Sequence, residues 1–593
     1  MKDNLQNRIS SFIFHLSSLI LLLAFSLFAL MPLTAPGYFM SAHDARHSVY
    51  FLQMFDMAVR DGAWFPRWAT DMVFGYGYPL WLILAPLPFY AGEIFHLIGF
   101  DFVASVKIVD GLALFCSALT MYLFASRVLG KHAGLVAAVA YAYIPYHLVD
   151  LYVRAAQAEL VSFVFPPLIL WAFHQLATTR QTRYIPIAAF SYAGLVLSHM
   201  SMTALFTPII GLYLLFLLVT QPRNSVSSIH AKRPVFRIWK LEFGITNSRL
   251  RFTLYVSLAL ALALGIAAIF VVPVLFEQRF LTTDPLIGGF FNYRKHFLNA
   301  SQLLSPFWGY GYAGENGNDQ FSLQLGLIPV LLSFVALFAL GKSDKSIRNN
   351  ILFFVTTLIG LVFLMLPISA PVWEPFASIV AFAQFPWRLL IVSAVALAFL
   401  CGAALHAFPE SSRDLASILV VALIIVTANY SYTQPQHTEA EFNYVKQMEF
   451  EVKDRELLGD TIWMTGDRPQ DSPLVQQYID GVPLQKAIVL DGNATVTMLQ
   501  HGGQSDEIRV EATTPARIMF FTRYFPGWTA TIDGQPLAIE PYGEQGLILM
   551  QVSAGSHIVK LRFEDTLVRK IAAIVSIIST LLALVWLWLV RKI

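Results

Sequence analysis

Residues 11–31 read SFIFHLSSLILLLAFSLFALM and are followed without a charge by PLTAPGYFMSA and then by His43-Asp44-Ala45-Arg46-His47. An uninterrupted apolar run of this length is enough, at 1.5 Å per helical residue, to cross roughly 30 Å of hydrocarbon. Lys2 and Arg8 precede it and no small-residue cleavage site closes it, so it reads as a retained signal-anchor with a cytoplasmic N-terminus. Similar runs follow near 103–127, 133–150, 160–177, 183–200, 202–220, 251–274, 322–341, 351–368, 387–408, 415–430 and 570–590. With the first, they predict a polytopic α-helical membrane protein of about twelve spans.

Composition agrees. Of 593 residues, 56% are hydrophobic, 14% aromatic and 13% charged, the last about half of the roughly 25% usual in soluble proteins, and mean hydropathy is +0.59. A soluble cytoplasmic enzyme is excluded. Forty basic against 38 acidic residues leave a net charge of +2, with no footprint for nucleic acid. Cys116 and Cys401 both lie in apolar runs, so neither a disulfide framework nor a thiolate metal site is expected.

Leu80 to Phe100 is apolar but carries Pro86, Pro88, Glu93 and His96. If it does not cross, Arg127, Lys131, Arg180, Arg183, Lys342, Lys345 and Arg348 all fall in short cytoplasmic loops, as the positive-inside bias requires. The segment 222–251, with seven basic residues against Glu242 alone, then also lies inside and reads as a topology determinant near anionic lipid. The stretch 80–100 is therefore read as re-entrant or interfacial on the outer side. Arg569 and Lys570, at the outer end of the last span, run against the bias.

This topology divides the chain into a membrane domain, 1–430, with outer loops 32–79 and 275–321, an extracytoplasmic region 431–567, and a last helix, 568–593, with both termini cytoplasmic. In 431–567 short alternating runs such as Ile508-Arg509-Val510-Glu511 are separated by Asp491-Gly492, Asp533-Gly534 and Ala554-Gly555. They predict an antiparallel β-sandwich. His501, His557 and the carboxylates there read as scattered residues of solvated strand faces.

The ionisable residues that stand out lie at outer span ends. Asp44 is held near the membrane by a predicted interfacial helix bearing Phe51, Leu52 and Phe55. It suits a general base on an acceptor hydroxyl, or a ligand for a divalent cation, with His43 or His47 assisting; the alternative is a helix N-cap. In Tyr146-His147-Leu148-Val149-Asp150-Leu151-Tyr152-Val153-Arg154, followed by Glu159, Arg154 suits a lipid phosphate and Asp150 or Glu159 a metal or sugar hydroxyl. A plain i, i+4 salt bridge between Asp150 and Arg154 is the alternative. His199 reads either as a buried hydrogen-bonding residue or as a participant, and Arg388 in Gln384-Phe385-Pro386-Trp387-Arg388 is placed to reach a phosphate. The loop 275–321, with Trp308-Gly309-Tyr310-Gly311-Tyr312, suits a cover over a site. No P-loop, dinucleotide fingerprint or zinc-protease helix occurs. An outer-face enzyme without ATP needs an activated donor that reaches that face, and a polyprenyl-phosphate sugar meets the need.

Several of these motifs, in order, resemble one family. Asp44, Phe74-Gly75-Tyr76-Gly77-Tyr78-Pro79-Leu80, Tyr152-Val153-Arg154, Ala158-Glu159, Pro166-Pro167-Leu168, Leu197-Ser198-His199 and Gln384-Phe385-Pro386-Trp387-Arg388 are similar to bacterial membrane proteins labelled 6-pyruvoyl-tetrahydropterin-synthase-related, although no pterin chemistry is legible. Tyr524-Phe525-Pro526-Gly527-Trp528 with Asp533-Gly534 resembles the outer domain of YfhO-like proteins. The resemblance covers nearly the whole chain and implies a GT-C glycosyltransferase core in a bacterial cytoplasmic (inner) membrane. It further implies a polyprenyl-phosphate sugar donor and an envelope glycan, lipid or protein acceptor. In that superfamily the first outer loop supplies an essential aspartate, here Asp44, and a second acidic residue often assists, for which Asp150 is the positional match. Arg154 and Glu159 match the family pattern without an assigned role. Members differ in needing a divalent metal such as Mg or Mn, so none is assigned. The competing readings are a lipid-linked-glycan flippase, for which Lys107 and Asp110 are the span residues in favour, and a noncatalytic assembly factor.

Overall fold

A computed structural model describes residues 17–220, 248–282, 287–436, 443, 446, 460–467, 469 and 472–591. Most of the basic segment 222–251 lies outside the described residues, as do Lys2 and Arg8. Each of the apolar runs contains a helix among the described residues. Among the described residues nine helices are long and apolar enough to cross a membrane, and a tenth span arises if Lys131–Tyr143 and Pro145–Arg154, bent by 42°, count as one. Two further runs are shorter apolar helices, Tyr184–Ser198 and Leu327–Gly341, so the expected twelve resolve into full-length, broken and short members. The chain is a polytopic helical membrane protein with a sheet domain before its last helix.

The first helix, α1 (Ser17–Thr34), leads into the loop that carries Asp44 and then into α2 (Ala45–Arg60). Aromatic and aliphatic residues of α2, Tyr50, Phe51, Met54 and Phe55 among them, are buried. They pack on Trp81 and on Phe89 of α3 (Leu87–Leu97). With 11 residues α3 reaches only about 16 Å, too short to cross. Proline at 86 and 88 sets its start, because a missing N–H costs nothing in the first turn. The next helix, α4 (Phe102–Leu129), is a full span and begins on Asp101, whose carboxylate caps the Ala104 amide.

Two antiparallel sheets make up the later region. A four-stranded sheet has the order β3-β6-β10-β9 and a five-stranded sheet the order β4-β5-β11-β7-β8. The strands are β3 (Ala487–Asp491), β4 (Ala494–His501), β5 (Ser505–Ala512), β6 (Ala516–Arg523), β7 (Trp528–Ile532), β8 (Gln535–Leu537), β9 (Ile539–Tyr542), β10 (Leu547–Val552) and β11 (Gly555–Phe563). A separate pair, β1 (Leu281–Thr282) with β2 (Asp460–Thr461), stitches the loop after Ser248–Glu277 to this region. On β5, buried Asp506, Ile508, Val510 and Ala512 alternate with Glu507, Arg509 and Glu511, so period-two patterning sets the register, Ile508 opposite Val559. Asp533 and Gly534 both have positive φ and turn β7 into β8, the two-residue hairpin their sequence predicts. Residues of both sheets share one core with Trp68, contributed by the first loop.

That shared core is one fastening of the sheet domain to the membrane domain. A second corrects the reading of His501 as a solvated strand residue. Its Nδ1 lies 2.5 Å from Asp506 and its Nε2 3.1 Å from Asp71 of the first loop, while Tyr478 donates to Asp71 and Lys486 approaches Asp506 at 3.5 Å. Residues more than 400 positions apart had no local pattern to reveal the pairing. Burial and Lys486 oppose a charge on His501, but Asp506 and Asp71 outweigh them and push its pKa up to about 9. The folded pKa exceeds the ordinary value of about 6.5. Its stabilisation is therefore complete below about pH 6.5 and is lost as pH rises through 9. Thermal unfolding of the sheet domain is expected to fall across this window in the wild type; an equal fall in His501→Gln would assign it to another group.

A third fastening accounts for the misplaced cation of the last helix. Arg569 is fully buried, its Nε 2.9 Å from Glu277, and it donates to the carbonyls of Pro526 and Glu564. Thr566 donates to the other oxygen of Glu277. The pair joins Leu567–Arg591, Ser248–Glu277 and the sheet domain, so Arg569 serves packing rather than topology.

Candidate active site

The site is built around an interruption of the helix that follows Lys131–Tyr143. Asp150–Arg154 form a π-turn, and Ala155 after it is left-handed with φ 48° and ψ 39°. Single π-turns and left-handed non-glycine residues both cost conformational energy and gather at functional sites. The first loop is laid against this turn: the Asp44 amide donates to the Arg154 carbonyl at 2.7 Å and the His43 amide to the Val153 carbonyl at 3.3 Å. The Ser48 hydroxyl adds a bond to the Asp44 carbonyl. Asp44 is the N-cap residue of α2 by position, but its side chain makes no capping bond to the helix. Its carboxylate instead interacts electrostatically with Arg154, Arg388 and His199.

Beside it lies a buried ion cluster. Arg154, only 5% exposed, pairs with Asp150 at 0% and with Glu159 at 1% exposure, the latter at 2.8 Å. Tyr146 donates to Glu159 at 2.8 Å, and the guanidinium lies 5.2 Å over the Trp387 ring. Arg388 approaches Glu159 at 3.8 Å from the short turn Pro386–Arg388, and its Nη1 donates to the Ala383 carbonyl and the Gln384 amide oxygen. The i, i+4 pairing of Asp150 with Arg154 is thus present, and Arg154 is shared between two carboxylates. Two arginines and two carboxylates balance, and Asp44 is the additional acid.

The histidines divide. The His43 Nε2 lies 2.9 Å from the Gly311 carbonyl, and the ring stacks on Tyr312 at 4.7 Å with Phe321 edge-on at 5.4 Å. The glycine-aromatic loop therefore does cover the residue beside Asp44. Burial lowers the His43 pKa, with Asp44 opposing. A neutral ring that donates from Nε2 leaves Nδ1 as its basic nitrogen. His199 follows Tyr184–Ser198 and interacts electrostatically with Glu159, Arg388, Arg154 and Asp44. His47 stacks on Phe51 within α2. Asp44, Asp150, Arg154, Glu159, Arg388, His43 and His199 are thus brought together, with His47 on the adjoining helix.

Residues that sequence reasoning did not assign to the site hold the loop in place. Asp110 of α4 accepts from Tyr38 at 2.7 Å and from Gln157 at 3.1 Å, and Lys107 donates to the Ala35 and Gly37 carbonyls. An ionisable pair inside a span was the available signal. Both members are spent on tying the first loop to α4 and on Gln157, two residues before Glu159. Among the described residues no group of three or more His, Cys, Asp or Glu side chains could hold a metal ion. Because Asp150 and Glu159 are both engaged by Arg154, the set does not fit a divalent cation, and no chemical step is derived through one.

Residues 84–239 match the family described as Dolichyl-phosphate-mannose-protein mannosyltransferase. The matched stretch contains Asp150, Arg154, Glu159 and His199, and begins after Asp44. An uncharacterized protein of Lactococcus lactis subsp. cremoris (strain MG1363) is 28% identical over 167 residues, 27% of each chain. Among solved structures, the arabinofuranosyltransferase AftD from Mycobacteria is similar with a TM-score of 0.46 and 17% identity, over 74% of this chain and 28% of that one. The Archaeoglobus fulgidus oligosaccharyltransferase in its apo form has a TM-score of 0.39 and 13% identity, over 79% and 59%. The chain thus spans little more than a quarter of the Lactococcus protein and of AftD.

Proposed function

We propose that this protein is a membrane glycosyltransferase of the GT-C type. In this reading it transfers a sugar from a polyprenyl-phosphate donor to an envelope glycan, lipid or protein acceptor on the outer face of a bacterial cytoplasmic membrane. The observation that carries the proposal is the convergence of Asp44, the additional acid, with a balanced cluster of two arginines and two carboxylates at one end of the bundle. The match of residues 84–239 to a dolichyl-phosphate-mannose family supports a lipid-phosphate sugar as donor class. The ordered motifs set the chain beside 6-pyruvoyl-tetrahydropterin-synthase-related and YfhO-like membrane proteins.

Asp44 orients the acceptor hydroxyl and takes its proton as the new bond to the sugar's anomeric carbon forms. The bond from that carbon to phosphate oxygen breaks with inversion, and polyprenyl phosphate leaves. Arg388, whose Nε faces Glu159 at 3.8 Å and has no hydrogen-bond partner among the described residues, stabilises the departing charge. Arg154 holds Asp150 and Glu159 beneath the reacting groups and contributes its charge from there. Lys107 and Asp110, the span residues that would favour a flippase, are both engaged in pinning the loop.

Mass spectrometry of lipid extracts from cells with wild type or Asp44→Asn at equal expression tests the proposal. One polyprenyl-phosphate sugar is expected to accumulate in the variant; an unchanged lipid profile would overturn the donor assignment.

A further inference from the structure

We infer that the turn at residues 501–505, between β4 and β5, is a positioning element for Asp44 and acts on it through α2. The inference rests on the proposed glycosyltransferase reading for its chemistry and on independent geometry for its mechanics.

A helix of 16 residues is a rod of about 24 Å, and α2 is held at both ends. At its start, Asp44 is bonded through its backbone to Arg154. At its finish, the Asp61 carboxylate accepts the Gln504 amide at 2.7 Å and the Ser505 hydroxyl at 2.8 and 2.9 Å. These are charge-assisted bonds in partly buried surroundings, stronger than their neutral counterparts. His501, at the head of the turn, reaches Asp71 farther along the same loop. One turn of the sheet domain thus grips both the end of α2 and the segment after it.

The two glycines between these grips allow the approach. A Cβ on Gly503 would lie 2.4 Å from the Ala58 nitrogen and 2.4 Å from the Met57 carbonyl carbon, both backbone atoms of α2; one on Gly502 would lie 2.7 Å from an Asp61 oxygen. Neither glycine has a left-handed φ, so alanine is conformationally acceptable and its whole cost is contact. Because the atoms met at Gly503 are backbone, Gly503→Ala has to move the turn and α2 apart. A rod displaced at one end shifts the other, and misplacement of a catalytic group by about 1 Å costs about 10²-fold in rate.

Full-length protein in lipid nanodiscs provides the test, using Gly503→Ala, Ser505→Ala and Ser505→Thr. Hydrogen exchange of the amides over 44–60 reads α2. The donor lipid that accumulates in Asp44→Asn cells, supplied with the membrane fraction as acceptor, reads transfer. Gly503→Ala and Ser505→Ala are expected to speed exchange over 44–50 about tenfold, the equivalent of one charged hydrogen bond, with β5 and β11 still protected. They are expected to lower kcat while leaving the donor KM in place, and Ser505→Thr, which keeps the hydroxyl, to restore both. Unchanged exchange over 44–50 in both disruptive variants would overturn the inference, as would a Ser505→Thr defect equal to that of Ser505→Ala. If Gly503→Ala unfolds the sheet domain, the Ser505 pair decides alone. Full transfer by Asp44→Asn alongside altered exchange would instead remove the catalytic reading and leave the mechanical link standing.

Discussion

Asp44→Asn is expected to lower transfer by about 10²–10⁴-fold, the range a positioned general base contributes, while leaving the thermal unfolding temperature within error of wild type. The asymmetry follows from how Asp44 is used. Its backbone makes the structural bond, donating to Arg154, and its side chain caps no helix amide. Asparagine has nearly the same shape and keeps that backbone bond, but it cannot accept a proton. It also removes the additional negative charge beside Arg154 and Arg388, which should leave donor binding intact or slightly improved, so the loss belongs in kcat rather than in the donor KM. Purified protein with the accumulated donor lipid checks both numbers. Equal turnover in the variant would take Asp44 out of the mechanism, and an equal fall in unfolding temperature would mean that its carboxylate is structural.

The membrane architecture was legible because hydrocarbon permits few solutions: every apolar run had to be a helix, and proline and charge in 80–100 marked a segment that turned out too short to cross. The alternation on β5 and the Asp533-Gly534 hairpin were equally readable, since both are local. What was not readable is what depends on long-range pairing. His501 and Asp71, Arg569 and Glu277, and Ser505 and Asp61 are separated by hundreds of residues. Each looks from its own surroundings like an ordinary polar residue or a misplaced charge. At the site, the residues singled out in the sequence lie together, but how they pair was not legible. Asp150 and Arg154 were open to a salt bridge or to ligand binding, and only the π-turn, which no residue type announces, shows that Glu159 joins them on one guanidinium.

That arrangement carries the second large effect. Arg154→Met is expected to destabilise the protein by about 3–5 kcal/mol, the cost of breaking a buried ion pair from one side. The methionine fills much of the volume, but Asp150 and Glu159, at 0% and 1% exposure, are left without the cation they share. Arg388 relieves Glu159 in part from 3.8 Å and has its own bonds to Ala383 and Gln384, so it does not replace Arg154 at Asp150. The triple variant Asp150→Asn, Glu159→Gln, Arg154→Met removes the stranded charges together with their partner and should recover most of the lost stability, without recovering transfer. Thermal unfolding and folded yield in nanodiscs compare the two. If Arg154 served only to bind a donor phosphate, Arg154→Met would unfold at the wild-type temperature and lose only donor affinity. A single variant less stable than the triple one instead identifies Arg154 as the charge that allows two buried carboxylates to sit side by side.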